Sequence, residues 1–514
     1  VYEKFLEGEK CEGLTITVYS GDRKLVSFTS GADKFEPVPQ PAQAIPKPSE
    51  LETNEKLFLA AVHLEQYRHA TRSPEPYYLE GLRRDPSDIR LNNGYGKYLY
   101  GKGLFEESES CFRAAIKSSV WKNPNPYDCE PYYNLGLALE AQGDEDGAFD
   151  AYYKAVWDGN MQNKAYYRLA CLASKKGKYS EALEYVDQSL MRGMNNYRAR
   201  AIKTAFLRIL HRDDEARSFA KETHRMDPLN HAGVYELAKL GVCERDTLWN
   251  LMRGDNHNYI ELALVYAAAG LYYEAEDVLR NAPCDEPMVH YYLYKYTGDA
   301  SELEKAEKAS SLYCFPNRLE DIAVLKNAID NGGKYAAYYL GCLYYDRGRW
   351  QDAEKLWESV AEKITLPTVH RNLALAYYNK EGDPKKAKKE MEKAFSMDES
   401  DARVFYEYDQ LLKMMDYTTA QRLKNMEDHA ELLPLRDDLY TEYITLLNIN
   451  GEYNKAYDLM MNHKFHPWEG GEGKISGQYI ICRIELAKKA IAEKRYQDAI
   501  DLLKETECYP FNLG

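Results

Sequence analysis

Two periodicities divide the chain. Leu14, Ile16 and Val18 alternate with threonines, Ser20-Gly21-Asp22-Arg23 supplies a turn, and Val26 and Phe28 resume the alternation. That pattern predicts a β-hairpin within residues 1–35. A lone hairpin is barely stable, so a larger sheet is expected around it. Residues 36–50 carry Pro37, Pro39, Pro41, Pro46 and Pro48, the composition of a semi-rigid spacer, and mark a boundary. From Ser49 onward the apolar period is helical, and it repeats. Tyr132, Leu135, Gly136, Leu139, Gly143, Ala148, Tyr152 and Ala155 recur, after a shift of roughly 34 residues, as Tyr166, Leu169, Ala170, Ala173, Gly177, Ala182, Val186 and Ser189. The frame also fits Gly96-Leu99-Gly103-Ser108-Phe112, Leu262-Ala263-Tyr266-Gly270-Ala275, Leu340-Gly341-Tyr344-Gly348-Ala353-Trp357 and Leu373-Ala374-Tyr377-Ala387-Met391.

Each unit reads as a helix, a turn at the Gly143-type position, and an antiparallel second helix. Small residues at the Gly136 and Ala148 positions let the two backbones approach, and large ones fill the gap to the next pair. No unit buries its apolar face alone, so stacking is obligatory. The pattern resembles the tetratricopeptide repeat. The resemblance implies an all-α, right-handed superhelical solenoid of about nine to eleven helix pairs with a concave groove. Residues 51–282 form the first sub-array and 335–514 the second, with fainter units at 51–85, 197–228, 437–463 and 480–510. Pro283, Pro287 and Pro316 break the frame, so 283–334 is expected to be an irregular helical junction.

Charge and composition narrow the partners. The net charge of −15 disfavours nucleic acid and anionic lipid, and no apolar run approaches the ~20 residues of a membrane span. A soluble, cytoplasmic protein is expected. The chain begins at Val1 and reads as a fragment or processed product. None of its ten cysteines forms a C-x-x-C pair, so buried thiols are expected rather than disulfides. Forty-five tyrosines against fourteen phenylalanines suit positions between helices, where a ring is buried and its hydroxyl reaches the edge.

Local runs carry a second resemblance. These are His63 to Arg72 with Glu75 to Pro86, Asn123-Pro-Asn-Pro-Tyr-Asp128, Glu130-Pro-Tyr-Tyr-Asn-Leu-Gly136, Ala151 to Trp157, and His466-Pro467-Trp468 through Tyr479. Together they resemble large bacterial proteins of unassigned function in which a galactose-mutarotase-like β domain precedes a tetratricopeptide array. The resemblance implies that residues 1–35 end that β region and that any carbohydrate chemistry lies upstream. On that reading the chain is the accessory half of a carbohydrate-active enzyme. The leading reading is instead an interaction scaffold offering its groove to a protein or peptide partner, or to that upstream domain, with the accessory half as its alternative.

Enzyme signatures fail within the chain, so no catalytic residue, cofactor or metal is expected. Gly94-Tyr-Gly96 is one residue short of a dinucleotide fingerprint and follows no strand. Gly473-Lys474 lacks the rest of a phosphate loop. His463 and His466 have no third ligand of matched spacing. Two binding candidates remain. The glycine-rich segment 465–479 offers Trp468 as an apolar platform, with His466, Glu469 and Lys474 as polar groups. The competing reading is an inter-repeat loop whose Trp468 plugs a gap. On the first helices, the groove-facing positions supply Asn93, Lys97, Asn134, Lys164 and Arg168. That set resembles the carboxylate clamp of chaperone-binding tetratricopeptide domains, with Asn93 and Lys97 in swapped order, and implies an anionic peptide end.

Overall fold

A computed structural model describes residues 13–31, 38, 40–67, 69, 71–283, 285–466 and 468–513. Cys11, Pro37, Pro39, Cys284 and Pro467 lie outside them. The chain forms two compact units, Val1–Pro86 and Ser87–Gly514.

In the first unit, β1 (Thr15–Ser20) and β2 (Arg23–Thr29) pair antiparallel, with Ile16 opposite Phe28 and Val18 opposite Val26. Among the described residues this sheet has two strands, and those four side chains are exposed. The helices α1 (Asn54–Gln66) and α2 (Glu75–Arg84) follow. The Thr53 hydroxyl accepts from Lys56 N and caps α1, which buries Leu57, Ala61 and Leu64. Tyr77 and Arg84 donate to the carbonyls of Pro46 and Leu51, tying the end of the proline-rich stretch to α2.

The second unit is a stack of antiparallel helix pairs. It begins α3 (Ile89–Gly101), α4 (Phe105–Ser119), α5 (Glu130–Ala141), α6 (Glu145–Ala155), α7 (Gln162–Lys175) and α8 (Tyr179–Arg192). Next come α9 (Tyr197–Ile209), α10 (Asp213–Met226), α11 (His231–Lys239), α12 (Arg245–Leu251), α13 (Asn256–Ala268) and α14 (Tyr272–Leu279). The middle holds α15 (Pro287–Thr297), α16 (Ala300–Lys308), α17 (Leu319–Asp330), α18 (Tyr335–Asp346) and α19 (Trp350–Val360). The end holds α20 (Pro367–Ala376), α21 (Pro384–Met397), α22 (Ala402–Met414), α23 (Thr419–Glu427), α24 (Asp437–Ile449), α25 (Tyr453–Met461), α26 (Lys474–Ala492) and α27 (Tyr496–Lys504).

Two sequence expectations change. Among the described residues of this unit there are twelve pairs and one single helix, α17, more than the nine to eleven expected. The extra pairs are short ones such as α11–α12, nine and seven residues long, which leave little repeat signature. The 283–334 junction holds three regular helices. Pro287 opens α15 at its first turn, where a missing N–H costs nothing, and Pro316 stands in the link before α17.

The close approach within a pair is visible directly. A Cβ built on Gly96, Gly136 or Gly341 would sit 2.6, 2.5 or 2.3 Å from the ring of Phe112, Tyr152 or Trp357 on the paired helix. The tyrosines behave as their composition suggested. Buried Tyr152, Tyr266 and Tyr292 donate to Glu140 (2.9 Å), Glu236 (2.9 Å) and Asp321 (2.6 Å). Burial, and then the adjacent carboxylate, raises all three phenols well above the usual range. A phenylalanine would fill the same space but leave the carboxylate one donor short.

Where α20 ends, the backbone widens into a π turn over Tyr377–Glu381. Tyr377 donates to Glu358 (2.7 Å), and the Lys386 ammonium lies over its ring. Glu354 stands beside Glu381 here. Burial, then the Glu381 carboxyl, pushes its pKa up to about 7, against the pull of Lys386. A carboxyl raised this way stabilises the fold while protonated and loses that contribution as pH climbs toward 7. Glu354→Gln should therefore melt higher than wild type by a margin that grows between pH 5 and pH 8. A margin flat across that range in paired thermal melts would refute the assignment.

The stack also meets itself far along the chain. Ser174, at the end of α7, donates to Ala269 O (2.7 Å) at the end of α13, and Gly270 abuts Lys175. Arg349, before α19, donates to the carbonyls of Lys102 and Gly103 at the end of α3.

Candidate functional site

The five clamp candidates lie on α3, α5 and α7, and the chain's own carboxylates engage three of them, Asn93, Lys97 and Arg168. Asn134 Nδ2 donates to Asn93 Oδ1 (2.9 Å), and Asn93 Nδ2 donates to Glu130 (2.8 Å). Lys97 Nζ donates to the other oxygen of Glu130 (3.1 Å). Both asparagines are buried, so this amide chain fixes where the Glu130 carboxylate sits. Arg168 pairs instead with Glu140 (3.6 Å). Tyr100 is pushed up to about 12, first by burial, with Arg168 opposing and the charges of Glu320 and Glu140 adding. Lys164 is exposed and meets no charged partner among the described residues.

Sequence reasoning missed Glu130 and Glu140. Their signal was charge pairing near one repeat length: Lys97 and Glu130 are 33 apart, and Lys175 and Glu140 are 35 apart. Both acids belong to α5, between the helices that carry the cations.

The 465–479 segment is placed elsewhere and is shorter as a loop than expected. Gly473, at φ 72°, starts α26, so Lys474 to Tyr479 are helical. The left-handed glycine lets the chain turn straight into the helix despite the glycines before it. His463 (2.7 Å) and His466 (3.2 Å) both reach Asp437. Burial would raise the Asp437 carboxyl, but those histidines hold it below the usual range. Phe465 is buried, and its N–H donates to Asn512 O. Trp468 is half-buried and folds onto Gly471, where a Cβ would lie 2.1 Å from the indole. His466, Glu469 and Lys474 are exposed. Trp468→Ala should then cost about 1 kcal/mol, half the burial of a full side chain. Chemical denaturation showing a loss of ~3–5 kcal/mol would instead make it a core residue.

A tetratricopeptide-repeat family model matches residues 95–163, and a second matches 164–192 and 371–401. The chain carries tetratricopeptide repeats. The first match runs from within α3 through α6 and includes Lys97 and Asn134, with Asn93 just before its start. The second covers α7–α8, with Lys164 and Arg168, and much of α20–α21. Several solved structures are similar over part of the array. A tetratricopeptide repeat protein from Parabacteroides merdae is 15% identical, covering 54% of this chain and 93% of its own, with a TM-score of 0.33. The C-terminal part of a Cytophaga hutchinsonii repeat protein is 17% identical, covering 54% and 97%, at 0.32. YrrB, described as a tetratricopeptide protein with an unusual peptide-binding site, is 16% identical, covering 45% and 97%, at 0.27. No helix among the described residues is long and apolar enough to cross a membrane.

Proposed function

We propose that this chain is a protein-interaction scaffold whose α3–α5–α7 wall receives an acidic peptide segment, and that it has no turnover of its own. The observation that carries the reading is the hold on Glu130. A buried amide chain and a lysine converge on one carboxylate, and the exposed Lys164 stands free for a second. A charged hydrogen bond contributes ~1.5–3 kcal/mol, enough for specific contact in a protein of −15 net charge. The test is an acidic peptide with a free carboxylate, titrated by calorimetry against wild type and a Lys97→Ala, Lys164→Ala double variant. Arg168 is left intact, because losing it would strand Glu140. Binding about tenfold weaker in the variant, and weaker still in high salt, supports the wall. Equal affinity in both proteins, or indifference to amidation of the peptide end, refutes it. Turnover of a sugar or ester panel that depends on a residue within 49–514 would refute the non-catalytic part.

A further inference from the structure

In a repeat stack each pair leans on its neighbours, and the integrity of a pair does not require contact with a distant one. The contact between the α3–α4 turn and the α18–α19 turn is therefore an addition to the fold rather than a condition of it. It joins residues 246 apart in sequence. Arg349 Nη1 donates to Gly103 O (3.0 Å) and Lys102 O (3.4 Å). These carbonyls lie just past the C-terminal end of α3, where the helix dipole favours a cation. The guanidinium is preset for this reach: Asp352 holds its Nε (2.8 Å), and the Tyr344 ring lies 3.9 Å beneath it. Beside it, Gly103 at φ 74° leaves room for the Ile322 methyl of α17, which would sit 2.5 Å from any Cβ there. Lys102 adds to the seam, its Cε 3.8 Å from where a Cβ on Gly348 would stand.

Closing this seam has a consequence for the wall described above. Ile322 lies one turn into α17, whose second residue is Glu320. That carboxylate comes within electrostatic reach of Tyr100, together with Arg168 and Glu140. The Ile322–Gly103 contact likewise sets the start of α17 against the end of α3, the first helix of that wall. The link before α17 (309–318) holds Tyr313 in the left-handed region (φ 61°), and α17 itself has no partner helix of its own. A pivot there would have to release Arg318, which holds Glu261 and His257 of α13.

We propose that Arg349 is a latch holding the stack closed over the α3–α5–α7 wall, so that an acidic segment reaches the wall only when the latch lets go. The gating part rests on the groove reading above; the latch itself does not. The test compares full-length wild type with Arg349→Ala by small-angle X-ray scattering, amide hydrogen exchange and titration of the same acidic peptide. Arg495→Ala, an exposed ion-paired arginine in the last pair, controls for loss of one charge. The latch predicts a larger radius of gyration, with faster exchange at 100–104 and 319–322. It also predicts apparent affinity about tenfold higher, the gain if one wild-type molecule in ten is open. Unchanged scattering and exchange overturn the latch, whatever the peptide does. Expansion with unchanged affinity overturns the gating and leaves the wall intact. Expansion with no binding to either protein keeps the latch and removes the groove reading. Should Arg349→Ala lose helical signal, Arg349→Lys keeps the charge but not the two-carbonyl reach, and the same readouts decide.

Discussion

Trp357→Ala should lower the stability of the second unit by about 3–5 kcal/mol, the range for large aromatics deleted from a core. The indole is 2% exposed, fills the space over Gly341, and donates to Tyr338 O (3.2 Å). Truncation opens a cavity against a glycine that has no side chain to collapse into it, and leaves a carbonyl short of a donor. The double change Gly341→Leu, Trp357→Ala should recover part of the loss, since a side chain on the first helix then occupies the gap. Urea unfolding of the three proteins checks both statements. A single-variant loss below about 1 kcal/mol would show that the pair is not held by this contact.

Arg422→Ala should cost a similar ~3–5 kcal/mol for an electrostatic reason. Asp409 is fully buried, and Arg422 grips it through Nε (3.0 Å) while reaching Glu442 with Nη2 (2.7 Å). Removing the guanidinium leaves a charge in the interior with the Gln410 amide as its remaining side-chain donor among the described residues. Burial already raises the Asp409 carboxyl despite Arg422, so without the arginine it should rise further. Its charge then destabilises the fold at neutral pH, and protonation relieves this as pH falls. The deficit relative to wild type should shrink between pH 7 and pH 5. The companion Arg422→Met, Asp409→Leu should return most of the stability, since a packed apolar pair often replaces a buried ionic one at little loss. A deficit independent of pH would mean the cost is lost packing alone.

The sequence made the repeat legible because the repeat is enforced by sterics. Gly136 cannot carry a side chain beside Tyr152, and the same exclusion recurs at Gly96 and Gly341, so the pattern prints itself at fixed spacing. What escaped was whatever depends on remote residues. Glu130 looks like an ordinary acid in the first turn of a helix, and nothing local says that Asn93 and Lys97 converge on it from the preceding pair. Arg349 looks like any arginine entering a second helix, and its carbonyl partners lie seven pairs upstream. The 465–479 segment was half legible. Its glycines mark the turn, but Gly473 also opens α26, and the anchoring of Phe465 on Asn512 joins positions far apart in sequence.

The preference for tyrosine over phenylalanine between helices leaves the molecule with a built-in optical gauge. The hydroxyls of Tyr152, Tyr266 and Tyr292 are each shared with a carboxylate and held out of the ordinary ionisation range. In an alkaline titration, phenols in water would generate the tyrosinate absorbance first, while these stay dark as long as their helices remain apposed. Their late appearance would then time the parting of α6 from α5, of α13 from α11 and of α15 from α17. Single Tyr→Phe substitutions would say which wave belongs to which seam, with no attached dye.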